Sequence, residues 1–227
     1  MRLDTHVHTS PGSRCSRMHK HDLLRMSSGL GLEAVCITNH GDIADFEDIS
    51  GMVQGGFSGT AVESPSRLEA WDVSGAAPSG LTVIPGVEIS SPVGDFLIYS
   101  EDLDFLRGLE AAQQLPLRSQ RPERTAVVWA HPFAGNGGGA NASEDYIRKV
   151  VPQVDGIEVF NGNWPDDEAS ALARRIAAGY ELAELGGSDA HRSEHLMRCW
   201  TEIDGRIASV ANLITAILER GTAAAKL

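Results

Sequence analysis

The 227-residue sequence lacks any apolar run near the roughly 20 residues that a membrane-spanning helix needs. Asp4, His6 and His8 interrupt the apolar stretch that a secretory signal would require at the N-terminus. A cytoplasmic protein with no membrane partner is the expectation. Cysteine is scarce: Cys15, Cys36 and Cys199 are odd in number and have no framework spacing, which argues for reduced thiols. Cys36 lies in an apolar run and reads as core. Positive charge is also scarce, with 19 Lys and Arg against 31 Asp and Glu and a net charge of -12. Such a balance works against broad contact with a long nucleic acid, which normally meets a basic face. It leaves room for a small phosphorylated substrate or a short oligonucleotide, because bound cations can reverse the field locally. There is no internal repeat and no linker, and residues 1–227 read as a single domain.

What is present is an alternation of strand-like and helix-like segments. The first ten residues read M-R-L-D-T-H-V-H-T-S, and a strand over Arg2–His8 sends the His6 and His8 imidazoles off one face at its C-terminal end. A Pro-, Gly- and Ser-rich loop follows over Thr9–Arg17, then a helix from about His21 to Gly29. Glu33–Thr38 reads as a buried strand that delivers Asn39 and His40. An irregular insertion is expected at about 41–63, a lid over the strand ends, followed by a short helix around 65–73. L-T-V-I-P-G-V-E-I reads as one strand carrying Glu88. Further strands are expected at Asp95–Tyr99, at Thr125–Ala130 ending on His131, at Gly156–Phe160, and at Leu182–Leu185 leading into G-S-D-A-H with Asp189 and His191. Helices are expected over 103–114, from near Ser143, over 165–178 and over 208–220, with a glycine-rich loop at 134–141 and a short strand at Cys199–Ile203. This alternation implies an α/β fold with a parallel sheet, closed or open. The first strand is not followed by a Gly-rich phosphate fingerprint, which lowers a dinucleotide-binding reading.

His6, His8, His40, Glu88, His131, Asp189 and His191 all fall at expected strand exits, where reactive groups gather in such folds. Imidazole mixed with carboxylate suits Zn, Mn or Fe, and a set this rich can hold two or three divalent ions, with Glu88 bridging two. Paired cations lower the pKa of a water and stabilise both oxygens of an in-line displacement, so hydrolysis is the natural inference.

D-T-H-V-H, I-T-N-H, I-P-G-V-E, A-H-P and G-S-D-A-H, in this order over nearly the whole chain, resemble the motifs of the PHP (polymerase and histidinol phosphatase) superfamily. The resemblance implies a distorted seven-stranded β/α barrel, TIM-like and single-domain, with a two- or three-metal centre that hydrolyses phosphoesters. It implies that His6, His8, Glu88 and Asp189 hold one ion, Glu88 and His131 a second, and His40 and His191 a third. Asp189 and His191 are read as the catalytic residues, with a metal or His191 assisting the leaving oxygen. Three departures stand out. Asn39 replaces the acid of the family's usual T-D-H. The loop after the first strand offers Ser13, Cys15 and Ser16 where the family places a further His or Asp. No further His lies between Glu88 and His131.

Other residues weigh less. His19 and His21 form a second H-x-H at a helix start, where that spacing points them apart. His195 reads as a loop residue. Arg14, Arg17 and Arg192 flank the expected mouth, and Arg14 and Arg192 are candidate phosphate contacts. Trp129 and Trp164 could stack on a ring, although core packing is the more frequent use of Trp. The reading is a metal-dependent phosphoesterase. Its alternatives are an amidohydrolase-like hydrolase of C–N or carboxylic ester bonds, from which the usual bridging lysine is missing, and a non-catalytic metal-binding interaction module.

Overall fold

The computed structural model describes residues 1–54, 71–72, 81–109, 115–134 and 143–227. The first strand, β1 (Arg2–Val7), is buried along its length except at Arg2. Helix α1 (Lys20–Gly29) leads to β2 (Ala34–Ile37), whose A-V-C-I side chains are all buried. Helix α2 (Ala44–Gln54) occupies the first part of the expected insertion, and residues 55–63 lie outside the described residues. So do the helix expected around 65–73, apart from the two-residue strand β3 (Trp71–Asp72), and the glycine-rich loop beyond Ala134.

The run L-T-V-I-P-G-V-E-I is two strands rather than one. β4 (Thr82–Pro85) lies parallel to β2, while β5 (Val87–Ser91) pairs antiparallel with β6 (Gly94–Ser100) in a different sheet. The break falls at Gly86, where a Cβ would lie 2.9 Å from the Tyr99 ring, so the crossing requires a residue without a side chain. After α3 (Leu103–Leu109), strand β7 (Thr125–Trp129) is antiparallel to β6 and parallel to β8 (Gly156–Asn161), which is parallel to β9 (Ala183–Gly187). Helix α4 (Glu144–Val150) precedes β8, and its N-cap Ser143 accepts from the Tyr146 N–H. Helix α5 (Asp167–Tyr180) joins β8 to β9, and Asp166 caps it by accepting from Glu168 and Ala169. The chain ends with β10 (Cys199–Ile203), helix α6 (Val210–Leu218) and β11 (Thr222–Lys226). In α6, Val210, Leu213, Ile214 and Ile217 form one buried stripe at helical spacing, and the helix packs against β6 and β7.

These pairings overturn the seven-stranded barrel. Among the described residues the strands form two mixed sheets, one of order β11-β10-β1-β2-β4-β3 and one of order β5-β6-β7-β8-β9. Antiparallel pairs at β1/β10, β10/β11, β5/β6 and β6/β7 interrupt the parallel alternation that a closed β/α barrel needs. The sheets are tied across the interior by Tyr99, whose hydroxyl donates to the Thr5 carbonyl at 2.6 Å. Two single-residue bridges add to this, Val7 with Ala190 and His40 with Glu88, both parallel. Leu3, Val83, Ile84, Phe96, Ile98 and Trp129 are among the fully buried core residues.

Candidate metal centre

The two bridges between the sheets are built from the ligand motifs themselves. In β1, Leu3, Thr5 and Val7 alternate with Asp4 and His6, and His8 continues the second series just past the strand. At one seam the His8 N–H donates to the Ala190 carbonyl at 3.0 Å and the Asp189 N–H to the His6 carbonyl at 2.8 Å. At the other, the Glu88 N–H donates to Asn39 and the Gly41 N–H to Glu88, each at 3.0 Å. The backbone ladder that closes each seam therefore sets ligands from distant parts of the chain side by side. Asp189 and His131 have φ of 50° and 24°, a left-handed conformation uncommon outside glycine and a form of local strain found at functional sites.

All seven expected ligands come together. His6 Nε2 and His8 Nε2 are 3.0 Å apart. Glu88 Oε2 lies 3.5 Å from His6 Nε2, 3.1 Å from His8 Nε2 and 3.1 Å from His40 Nδ1, while Glu88 Oε1 is 3.1 Å from His131 Nε2. Asp189 Oδ1 lies 3.5 Å from His6 Nε2, 3.3 Å from His8 Nε2 and 3.4 Å from His191 Nδ1. His6, His8, Glu88 and Asp189 are buried, whereas the His40 and His191 side chains are 43% and 22% exposed and form the solvent side. His6 with His8 and Asp189, and His6 with Glu88 and His131, form compact donor sets.

The donor chemistry fits divalent cations. With both rings neutral, two imidazole nitrogens facing each other at 3.0 Å beside two carboxylate oxygens have too few N–H protons to satisfy every lone pair, and such a donor set would hold a divalent cation. Burial disfavours charge on His6, but Asp189, Glu158 and Glu88 outweigh it and hold its pKa well above the ordinary imidazole value. His8 is raised against its burial by Asp189 and Glu88, and His131 is raised to about 9 against its burial by Glu88. Glu88 and Asp189 stay below the usual carboxylate range despite burial, chiefly because of His6. Without an ion, protons on the imidazoles balance the carboxylates, and metal uptake displaces them.

A supporting shell fixes the ring orientations, and sequence reading missed its centre, Glu158. This buried carboxylate on β8 places Oε1 3.0 Å from His6 Nδ1, and its Oε2 accepts from the His131 N–H at 2.9 Å and from Asn161 Nδ2 at 2.8 Å. A proton on Nδ1 bonded to Glu158 leaves His6 Nε2 as the ligating atom. The one available signal was an acid inside the apolar strand G-I-E-V-F. Beneath His6, Asp4 Oδ1 accepts from the Ser188 N–H at 2.9 Å, and burial raises its pKa to about 6. Glu158→Gln is expected to leave the fold intact and weaken metal binding roughly 10–100-fold, because a carboxamide no longer enforces the His6 tautomer. Isothermal titration with zinc reads this directly, and unchanged affinity would refute it.

Asn39 also belongs to this shell. Its Oδ1 accepts from the Thr9 N–H at 2.7 Å, and its Nδ2 donates to Thr9 Oγ1 at 3.0 Å and to Asp45 Oδ2 at 3.3 Å. Asp45 in turn accepts from Thr9 Oγ1, the Gly12 N–H and Lys20 Nζ. The charge expected at position 39 is thus supplied by Asp45.

The remaining candidates stand apart. The His19 and His21 rings do not point apart but meet edge to face at 4.8 Å, because His19 precedes α1 and does not share its helical spacing with His21. His195 lies in a short turn, 193–195. Arg14 and Arg192 are exposed, next in sequence to Ser13 and Cys15 and to His191, and Arg192 lies 3.9 Å from Glu194. Trp129 is core, packed against Phe133 and Tyr146. Trp164 is exposed and lines a small cavity beside His131 with Phe133 and Asn161.

Among known proteins, a family model described as PHP-associated matches residues 167–222. No curated protein matches the chain by sequence. Among solved structures, a proposed metal-dependent phosphoesterase from Bifidobacterium adolescentis is 16% identical with a TM-score of 0.62, covering 96% of each chain. A two-domain protein from Bacteroides vulgatus containing a predicted PHP-like metal-dependent phosphoesterase is 18% identical with a TM-score of 0.66, over 100% of this chain and 64% of that one. An amidohydrolase from Chromobacterium violaceum, solved with sulfate and no metal, is 12% identical with a TM-score of 0.55, over 84% of this chain and 88% of that one. At these identities the likeness is one of fold. The PHP-associated match is confined to residues 167–222, and the five ordered motifs that resemble PHP proteins lie together in one site.

Proposed function

We propose that the chain is a metal-dependent phosphoesterase acting on a small phosphorylated metabolite or nucleotide. The observation that carries this reading is the convergence of His6, His8, Glu88 and Asp189 around one point, with His40, His131 and His191 at its edge. When bound, two or three ions of Zn, Mn or Fe supply an activated water and neutralise the charge that develops on the phosphoryl oxygens. Glu88 turns one oxygen toward His8 and His40 and the other toward His131, and so can bridge two ions. Asp189 holds its side of the cluster and orients His191, whose Nδ1 donates to the Asp189 carbonyl at 2.9 Å. That bond leaves His191 Nε2 to engage the reacting group from the solvent side, by holding an ion or by passing a proton to the leaving oxygen. Arg14 and Arg192, both exposed, are the contacts proposed for the non-reacting phosphate oxygens. The net charge of -12 favours a small substrate over a long polyanion.

A second reading, hydrolysis of a C–N or carboxylic ester bond, draws on the fold shared with the amidohydrolase. Against it, the chain's three lysines are accounted for elsewhere: Lys20 is engaged by Asp45 and Asp48, Lys226 by Asp167, and Lys149 is exposed on α4. Metal analysis combined with a panel of phosphomonoesters, phosphodiesters, short oligonucleotides and amides separates these readings. Turnover of phosphoesters with bound metal is expected. Turnover of amides alone, or bound metal with no turnover, would overturn the phosphoesterase reading.

A further inference from the structure

The loop 9–17 offers none of the usual third-site ligands, yet it is not a loose connection. The Ser13 N–H donates to Thr9 at 2.7 Å and the Ser16 N–H to Ser13 at 3.1 Å. Ser16 Oγ donates to the His8 carbonyl at 2.9 Å, and the Arg17 N–H donates to the His191 carbonyl at 2.8 Å. Ser13 Oγ accepts from the His40 N–H at 3.2 Å and lies 3.2 Å from His8 Nδ1. The loop is therefore pinned to all three segments that carry His8, His40 and His191, and Cys15 sits between its two anchoring serines. Its Sγ and one ring nitrogen from each of His8, His40 and His191 all lie within 4.8 Å of one another. Two of these rings are already oriented: His40 Nδ1 faces Glu88 Oε2 at 3.1 Å, and His191 Nδ1 faces the Asp189 carbonyl at 2.9 Å, which leaves each Nε2 as a donor.

We infer that Cys15, with His40 and His191 and with His8 alongside, forms a thiolate–imidazole site that selects a soft divalent ion such as Zn(II). Both neighbouring donor sets contain a carboxylate, and this one contains sulfur and nitrogen alone. Thiolate and imidazole favour zinc or cobalt over manganese or magnesium, so the cluster is divided into a carboxylate-bearing interior and a sulfur-bearing rim. This inference rests on the metal-centre reading above and assigns a ligand and a metal preference that the family resemblance leaves open.

Cobalt(II) titration of the full chain, read by absorption and by metal content, tests it. The wild-type protein should show an intense near-ultraviolet thiolate-to-cobalt band. Cys15→Ser should lose the band and weaken the binding of one equivalent by at least the roughly 10–100-fold that loss of a supporting residue costs, with the remaining equivalents retained. Cys15→His should recover that equivalent without the band. Alkylation of the wild-type protein gives a readout independent of any variant: Cys15 should react when metal-free and be protected by zinc. Cys36 and Cys199 are buried whereas Cys15 is exposed, so they should stay unreactive in both states. Cobalt bound without the band, or Cys15 alkylated equally with and without zinc, overturns the thiolate site and leaves the phosphoesterase reading standing. No cobalt bound at any site overturns both.

Discussion

Replacing Asp189 with alanine, or His8 with alanine, is expected to take phosphoester hydrolysis below detection and to lower the bound metal. Each side chain touches several others at once: Asp189 Oδ1 lies within 3.5 Å of nitrogens from His6, His8 and His191, and His8 Nε2 within 3.3 Å of both Glu88 and Asp189. Removing either leaves the opposing groups in a buried cluster with their charge balance broken, which costs more than the lost contact. Supporting residues around metal sites are worth about 10–100-fold, and a direct ligand should exceed that. Alanine at 189 also inherits φ of 50°, a conformation that asparagine tolerates better. Comparing Asp189→Ala with Asp189→Asn therefore separates the loss of the ligand from backbone strain: both should be inactive, but Asp189→Asn should retain more of its melting temperature. Full activity in both Asp189→Ala and His8→Ala would refute the metal-centre reading.

The second large effect is expected where the sequence appears most permissive. A Cβ added at Gly187 would stand 2.5 Å from Glu158 Oε1, 2.5 Å from His6 Cβ and 3.1 Å from the His6 backbone nitrogen. Gly187 ends β9, and the absence of a side chain there lets β1 approach closely enough for the Asp189–His6 hydrogen bond to form. Gly187→Ala must push β1 away from β9 or displace the Glu158–His6 pair, and neither neighbour is a flexible side-chain end in solvent. Overpacking typically costs about 1–3 kcal/mol, and a clash with buried neighbours on two sides puts this case at the upper end, a large part of a typical stability of about 5–15 kcal/mol. Chemical denaturation of the metal-free protein measures this loss. Zinc titration measures the second consequence, a fall in affinity as His6 leaves its position. A variant with wild-type stability and affinity would show that the seam is looser than the structure indicates.

The residues that converge were legible in the sequence because each sits in a short motif at a strand end, where local pattern and chemistry coincide. H-x-H on one face of a strand, and G-S-D-A-H after an apolar run, state their geometry without tertiary context. The sheets were not legible. Gly86 looks like a residue within one apolar run, and nothing local shows that the Tyr99 ring beneath it divides the run between two sheets. β11, reading T-A-A-A-K, has little strand propensity and forms because β10 offers it a full antiparallel ladder from Cys199 to Ile203. Parallel alternation, read locally, favoured a barrel, whereas β1 pairs antiparallel with β10 and β6 with β7 across long stretches of sequence, and the β5–β6 hairpin begins inside the run read as one strand. Glu158 was missed because a single acid in an alternating strand resembles a solvent-facing position; its burial depends on His6 and His131 arriving from elsewhere.

The contact between Asn39 and Asp45 makes two positions a single choice. With Asp45 Oδ2 3.3 Å from Asn39 Nδ2, an acid at 39 would exchange a donor for a second negative group beside one that already accepts from Gly12 and Lys20. One of the two would have to hold a proton. The more usual T-D-H is therefore not a neutral exchange in this chain. A sequence that carries it needs a residue other than Asp at 45, and the two sites should change together among relatives that keep the Lys20 pair.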